Sequence, residues 1–222
     1  MANLPILDPA AVLPGTTQAM REYNALGVTT VYEGHSLDFP EIGAYQMLRN
    51  ADALTLRVLC CPEAQSNGLP GSAPIDDKTL LDRLERAAAM VELTDDMLRV
   101  DGISFGRGGP ISTGMILMRD PYPDADGNLT LGASFLTLDR AETIIRFAYE
   151  HGLRLNIVTA GTAEHDVNLA VLEKVANGGT LNTDGRAWIL QHLYFFESEH
   201  ARRSAALGID LTTSMSFSWG KG

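Results

Sequence analysis

An alternation governs what this sequence can fold into. Six short runs rich in β-branched and apolar residues are separated by segments with helical spacing. The runs cover residues 28–31, 54–61 and 103–105 and the segments LRLNIVTAG, WILQHLYF and IDLTTSMSFS. Most are apolar on consecutive positions, the pattern of a strand buried on both faces. Helices between such strands imply a parallel sheet with helices packed on it. No G-x-G-x-x-G follows the first run, which leaves the dinucleotide-binding version without support. The expected architecture is α/β, a (β/α) barrel of the TIM type over residues 1–222, with about six parallel strands. A closed barrel has eight and typically about 250 residues, so this one is expected to be incomplete.

The helices carry their own signals. Ala19, Met20, Tyr23 and Leu26 recur at helical spacing after a cap at Thr16 or Thr17, and Gly27 sits where a C′ glycine belongs. Further helices are expected over residues 40–50, 78–93, 166–176 and 198–207. Another starts at Asp139, where Asp139 and Glu142 fit a capping box and Ala141, Ile144, Ile145 and Ala148 form one apolar face. Residues 64–75, AQSNGLPGSAPI, read as a loop. Residues 106–131 show no helical period, and so long a connection suits a lid.

Charge and composition narrow the partners. Against 17 Lys and Arg stand 28 Asp and Glu, a net charge of −11 that disfavours nucleic acid. No apolar stretch approaches the roughly 20 residues that span a bilayer, and MANLPILDP lacks the basic start of a leader, so a cytoplasmic protein with no membrane partner is expected. The two cysteines, Cys60 and Cys61, are adjacent, which excludes a disulfide framework and a C-x-x-C metal site. Without a nearby base they read as core. The three lysines, Lys78, Lys174 and Lys221, fall outside strand interiors, which disfavours Schiff-base or phosphate-loop chemistry.

In a barrel of this kind chemistry sits where strands end. Residues there are Glu33 and His35, positions 60–63, Arg107, positions 159–162, His192, and positions 214–219. His192 ends the WILQH run and suits a metal ligand or a hydrogen-bonded core imidazole. Glu33 and His35, two apart in an extended segment, can face one side as acid, base or ligand, or lie on a solvated loop. Arg107 precedes two glycines and can clamp a substrate carboxylate or simply open a turn. Glu164 and His165 read as an ordinary first helical turn with acid near the positive dipole end. PYPDADG lacks the glutamate of a calcium loop and reads as a surface turn.

The segments LGVTTVYEG, LTLRV, DDMLRVDGISF, PYPDADG, HGLRLNIVTAG, WILQH and LGIDLTTSMSFS, in this order, resemble the amidohydrolase superfamily, in the branch of D-aminoacylase-like and N-substituted formamide deformylase-like enzymes. The resemblance implies that the strands here are the second to the seventh of the barrel. It implies a divalent metal, zinc, in the complete protein, activating water to attack an amide-like carbonyl and hydrolyse a non-peptide carbon–nitrogen bond of a small molecule. His192 matches the sixth-strand metal ligand. The fifth-strand histidine falls at Val158 and the fourth-strand bridging position near Ser104, neither of which suits a second metal ion. The H-x-H pair and the eighth-strand aspartate of the family have no counterpart in these residues, and residues 4–8 offer no histidine pair. The chain alone is therefore expected to be inactive, with no catalytic base assigned and with Arg107, Glu33 and His35 as substrate contacts. Two other readings stand beside this one: a metal-free lyase or hydrolase using Glu33, His35 and Arg107, and a non-catalytic barrel. Six strands in a row leave unpaired edges, so a homo-oligomer is expected.

Overall fold

A computed structural model describes residues 9–35, 37–65, 74–111, 114–181 and 185–213. Residues 4–8, the final segment at 214–219 and most of the loop at 64–75 lie outside the described residues.

The chain begins with α1 (Pro9–Ala25), then β1 (Thr30–Glu33), α2 (Phe39–Asn50), β2 (Arg57–Cys60) and α3 (Asp77–Val91). Next come β3 (Leu98–Val100), β4 (Gly102–Gly106), the hairpin β5 (Tyr122–Pro123) and β6 (Leu129–Thr130), and α4 (Leu138–Glu150). The last units are β7 (Arg154–Thr159), α5 (Thr162–Ala176), β8 (Ile189–His192), α6 (Ser198–Leu207) and β9 (Asp210–Thr213).

Several helix ends obey local chemistry. Asp38 and Glu41 close a reciprocal capping box on α2, and the Asp76 carboxylate accepts from Thr79 N at 2.7 Å on α3. Gly208 ends α6 at φ 69°. Other starts differ from expectation. Thr16 lies inside α1, which runs through Pro14, and its hydroxyl donates back to the Val12 carbonyl at 3.0 Å instead of capping. Thr137, not Asp139, caps α4.

β1, β2 and β3 pair in parallel, as do β4, β7, β8 and β9. A parallel bridge between Glu63 and Ser104 joins the two sets. β3 and β4 are one strand position interrupted at Asp101, so the order is that of six consecutive barrel positions, and among the described residues the sheet does not close. The expected strand at 103–105 thus extends back to Leu98.

Side-chain parity sorts the sheet into two faces. Val58, Cys60, Ile103, Phe105, Leu155, Ile157 and Leu190 point to the helix layer and are buried. They share one apolar cluster with Leu80 and Leu84 of α3, Ile144 and Ile145 of α4, and Leu169 and Leu172 of α5. The opposite parity carries Tyr32, Ser104, Asn156 and Gln191. The Tyr32 hydroxyl lies 3.5 Å from Asn156 Oδ1, although β2 and β4 separate their strands, so the sheet curves and these residues line its concave side.

At the foot of β7, the Asp101 carboxylate is 2% exposed and receives Arg154 Nη1 at 2.9 Å and Arg186 Nη1 at 3.3 Å. A Cβ on Gly102 would lie 1.9 Å from the Arg154 carbonyl oxygen, so only glycine fits between β4 and β7 here. Among the described residues no helix is long and apolar enough to cross a membrane.

Candidate functional site

The site forms where β1 and β8 run out. Past Glu33 the chain turns inward through Gly34 to His35, and past Gln191 the backbone goes left-handed at His192, φ 80°, and Leu193, φ 53°. Non-glycine residues rarely hold that conformation, and strain of this kind gathers at functional sites. The two turns bring His35 Nε2 to 3.2 Å from His192 Nε2, with ring centroids 5.1 Å apart and planes at 66°. His192 also stacks on Tyr194 at 5.6 Å. Burial, and then the neighbouring His35, lower the His192 pKa below the usual imidazole value, so it is neutral at neutral pH.

Beneath the pair lies a polar floor. Asn156 Nδ2 donates to the Gly34 carbonyl at 2.6 Å and to Gln191 Oε1 at 2.8 Å, fixing the residue on which His35 is carried. Ser104 Oγ contacts Glu63 Oε2 at 2.9 Å and the Cys61 carbonyl at 3.0 Å. The Tyr32 hydroxyl is 3.3 Å from Cys61 Sγ. Burial pushes the Cys61 thiol up to about 12 and raises Cys60 as well, so neither is a thiolate at neutral pH.

Glu33 and Arg107 do not join this pair. Glu33 accepts from the Tyr45 hydroxyl of α2 at 2.7 Å and so faces the helix layer. Arg107 has the parity of Phe105; its Nε donates to the Leu136 carbonyl at 3.1 Å just before α4. Its guanidinium is buried, with Nη1 lacking a hydrogen-bond partner among the described residues, and burial lowers its pKa against the pull of Glu164.

A second polar centre sits beside the mouth, at the start of α5. The helix begins at Thr162 rather than 166, and Glu164 and His165 are buried at 1% and 0% exposure instead of forming a solvated turn. Glu164 Oε1 accepts from Gly108 N at 2.7 Å and Arg107 N at 3.3 Å, and Oε2 from Ala160 N at 3.0 Å. Burial raises its pKa while these N–H groups oppose the rise. The segment after β4 covers this centre: Arg119 N donates to Thr162 Oγ1 at 2.9 Å, and its guanidinium holds Asp166 and Glu197. A Cβ on Gly161 would meet the Leu117 carbonyl at 1.9 Å. Locally, the adjacent pair Glu164-His165 straight after a strand was the available signal; its burial comes from residues far away in the chain.

His165 Nε2 contacts the Tyr194 carbonyl at 2.7 Å and must donate there, so Nδ1 accepts from the Thr159 hydroxyl at 3.0 Å. Burial lowers its pKa below 6.5, the ordinary value. The unfolded chain then takes the proton more readily than the folded one. Stability is held above about 6.5 and lost as pH falls through the lowered folded value. His165→Gln keeps a donor toward Tyr194 but cannot titrate. In paired melts, the midpoint of wild type should fall relative to this variant below about pH 6.5; parallel curves would contradict the assignment.

The donor set around the mouth tests its fitness for a metal. Among the described residues no group of three or more His, Cys, Asp and Glu side chains is gathered around one point. Val158, paired with Gln191, is aliphatic, and Ser104 is spent on Cys61 and Glu63, so neither of these two described positions offers a ligand for a second ion. The imidazoles of His192 and His35 are nitrogen donors of the type a single ion could use.

A model described as the amidohydrolase family matches residues 1–220. Among curated proteins no sequence matches. Solved structures that resemble the chain include a metal-dependent hydrolase from Pyrococcus furiosus, 19% identical with a TM-score of 0.70 over 96% of this chain and 40% of its own. Another, from Pyrococcus horikoshii, is 18% identical with a TM-score of 0.73 over 96% of this chain and 38% of its own. A Xaa-Pro dipeptidase with bound methionine is 14% identical with a TM-score of 0.57 over 97% and 49%. The chain thus spans about two fifths of the length of the first two.

Proposed function

Because the chain belongs to the amidohydrolase family, we propose that it forms part of a metal-dependent hydrolase that cleaves non-peptide carbon–nitrogen bonds in a small molecule, of the D-aminoacylase-like or deformylase-like kind. The observation that carries this reading is the imidazole of His192, held on a left-handed turn at the mouth of the curved sheet with the His35 imidazole 3.2 Å away. His192 would hold a divalent ion, zinc in this reading. Such an ion supplies activation of water and polarisation of the substrate carbonyl.

The chain's own residues divide the remaining work. His35 faces the same mouth and contacts the substrate. Asn156 and Gln191 keep the two turns in register, and Tyr194 restricts the His192 ring by stacking. Glu33, tied to Tyr45, and Arg107, tied to Leu136, act as positioning residues at the ends of β1 and β4. Proton delivery to a leaving amine needs an acid that these residues do not assign, so catalysis by the 222 residues alone is not proposed.

Metal analysis of the purified protein tests the assignment. Wild type should carry divalent metal that His192→Ala loses while its circular dichroism is unchanged; equal metal in both would remove His192 from the site. A cytoplasmic location and self-association belong to the same reading. β1 and β9 are paired on one side only among the described residues, and all four residues of β9 are exposed. Light scattering should show species larger than one chain, growing with concentration, whereas a single monomeric mass at every concentration would contradict edge pairing.

A further inference from the structure

We propose that His35 and His192 form one two-imidazole site for a single divalent cation, with His35 a metal ligand in its own right. The inference rests on the reading that this mouth binds metal, and it changes the role of His35 from substrate contact to ligand.

The two rings come from strands far apart in the curved sheet. β2, the β3 and β4 position, and β7 lie between β1 and β8, and the rings meet only because both chains turn toward the concave side. Their geometry is that of a chelate edge. Two imidazoles bound to one tetrahedral zinc through nitrogens at about 2.0–2.1 Å have those nitrogens about 3.3 Å apart and their ring centroids about 5 Å apart. Here the Nε2 atoms are 3.2 Å apart and the centroids 5.1 Å. A straight N–H···N bond of the same length would carry the centroids out to about 5.5 Å. The rings are instead tilted off that line, as two ligands of one ion would have to be.

The support for each ring suits a ligand. Asn156 Nδ2 holds the carbonyl of Gly34, the residue before His35, and the left-handed turn at His192 sets where β8 releases its imidazole. Replacing the shared contact with a cation needs no covalent change. Both rings bind as neutral imidazoles through Nε2, and the ring that carried its proton there takes the Nδ1–H tautomer through solvent. Two positions on a tetrahedral ion are left for water and for a substrate oxygen. Val158, paired with Gln191 on β7, is half-buried and aliphatic, so the second nitrogen comes from His35 across the sheet.

Zinc titration of the full chain by calorimetry, repeated with cobalt for its absorption spectrum, tests this. Wild type should bind one zinc, and His35→Ala and His192→Ala should each weaken binding by about tenfold or more. His151→Ala is the control, because His151 is exposed and stacked on Phe147 away from the mouth, and it should bind as wild type. If His35→Ala binds like wild type while His192→Ala does not, His35 is no ligand and the metal reading survives. If wild type binds no zinc, both fall. Should His35→Ala misfold, His35→Gln replaces it, and nitrogen NMR of the wild-type imidazoles decides independently: zinc must move the Nε2 resonances of both histidines, and movement of one alone overturns the proposal.

Discussion

Asp101→Ala should lower the free energy of unfolding by about 3 kcal/mol, because removing one partner of a buried ion pair strands the other charge in a poorly solvated place. Asp101 is 2% exposed, and the Arg154 side chain is 19% exposed with a buried Nε that already lacks a partner among the described residues. The loss lands where β3 gives way to β4 and where β7 begins, so it loosens the join on which the strand order depends. Arg186→Ala removes the other, longer contact of Asp101 from a side chain 34% exposed, and should cost about 1 kcal/mol or less. Denaturant titrations of the two variants side by side give the comparison. Equal small losses would mean that Asp101 is solvated in solution and that the join is held by the backbone alone.

Glu164→Ala should be comparably costly for a different reason. The carboxylate is the acceptor for three backbone N–H groups at the ends of β4 and β7, and each buried donor left unmatched costs about 1–3 kcal/mol. Some of that is regained if water enters the space, so a net loss of about 3 kcal/mol is expected. Glu164→Gln keeps one oxygen but turns an amide N–H toward the other donors, and should recover only part. The local signature is hydrogen exchange: the amides of Gly108 and Ala160 should lose protection in both variants while those of β1 and β2 keep theirs. Unchanged exchange at Gly108 would show that Glu164 does not bind that loop.

The strand order was readable because each strand's outward residues are apolar for a local reason, contact with a helix near it in the chain. Leu155 and Ile157 under α4, or Ile103 and Phe105 near α3, announce themselves without knowledge of any distant partner. The incomplete barrel was equally legible, since it follows from counting such units. What escaped were features set by long-range burial. Glu164 and His165 look like an ordinary helix start until the segment around Leu117 and the chain at Tyr194 are laid on them. Thr16 looks like a cap until a helix forms ahead of Pro14. Asp101 looks like a turn residue until two arginines from other segments converge on it.

The candidate site divides along the same line. His192 was visible because a histidine closing an apolar strand is local information. That His35 would meet it, and that Glu33 and Arg107 would face the helices, depended on parity at strand ends where the backbone leaves regular geometry. Spacing of two between Glu33 and His35 suggests one shared face only while the strand continues. Beyond Glu33 it does not, and the two side chains part.

The central claim is that the mouth of this curved sheet is a metal site held by His192. Anomalous scattering at the zinc edge from crystals grown with zinc tests it most directly. The account predicts a peak at bonding distance from His192 Nε2, on the concave side of the sheet. Zinc found only at surface carboxylates and exposed histidines, with the His192 imidazole free of it, would contradict the account.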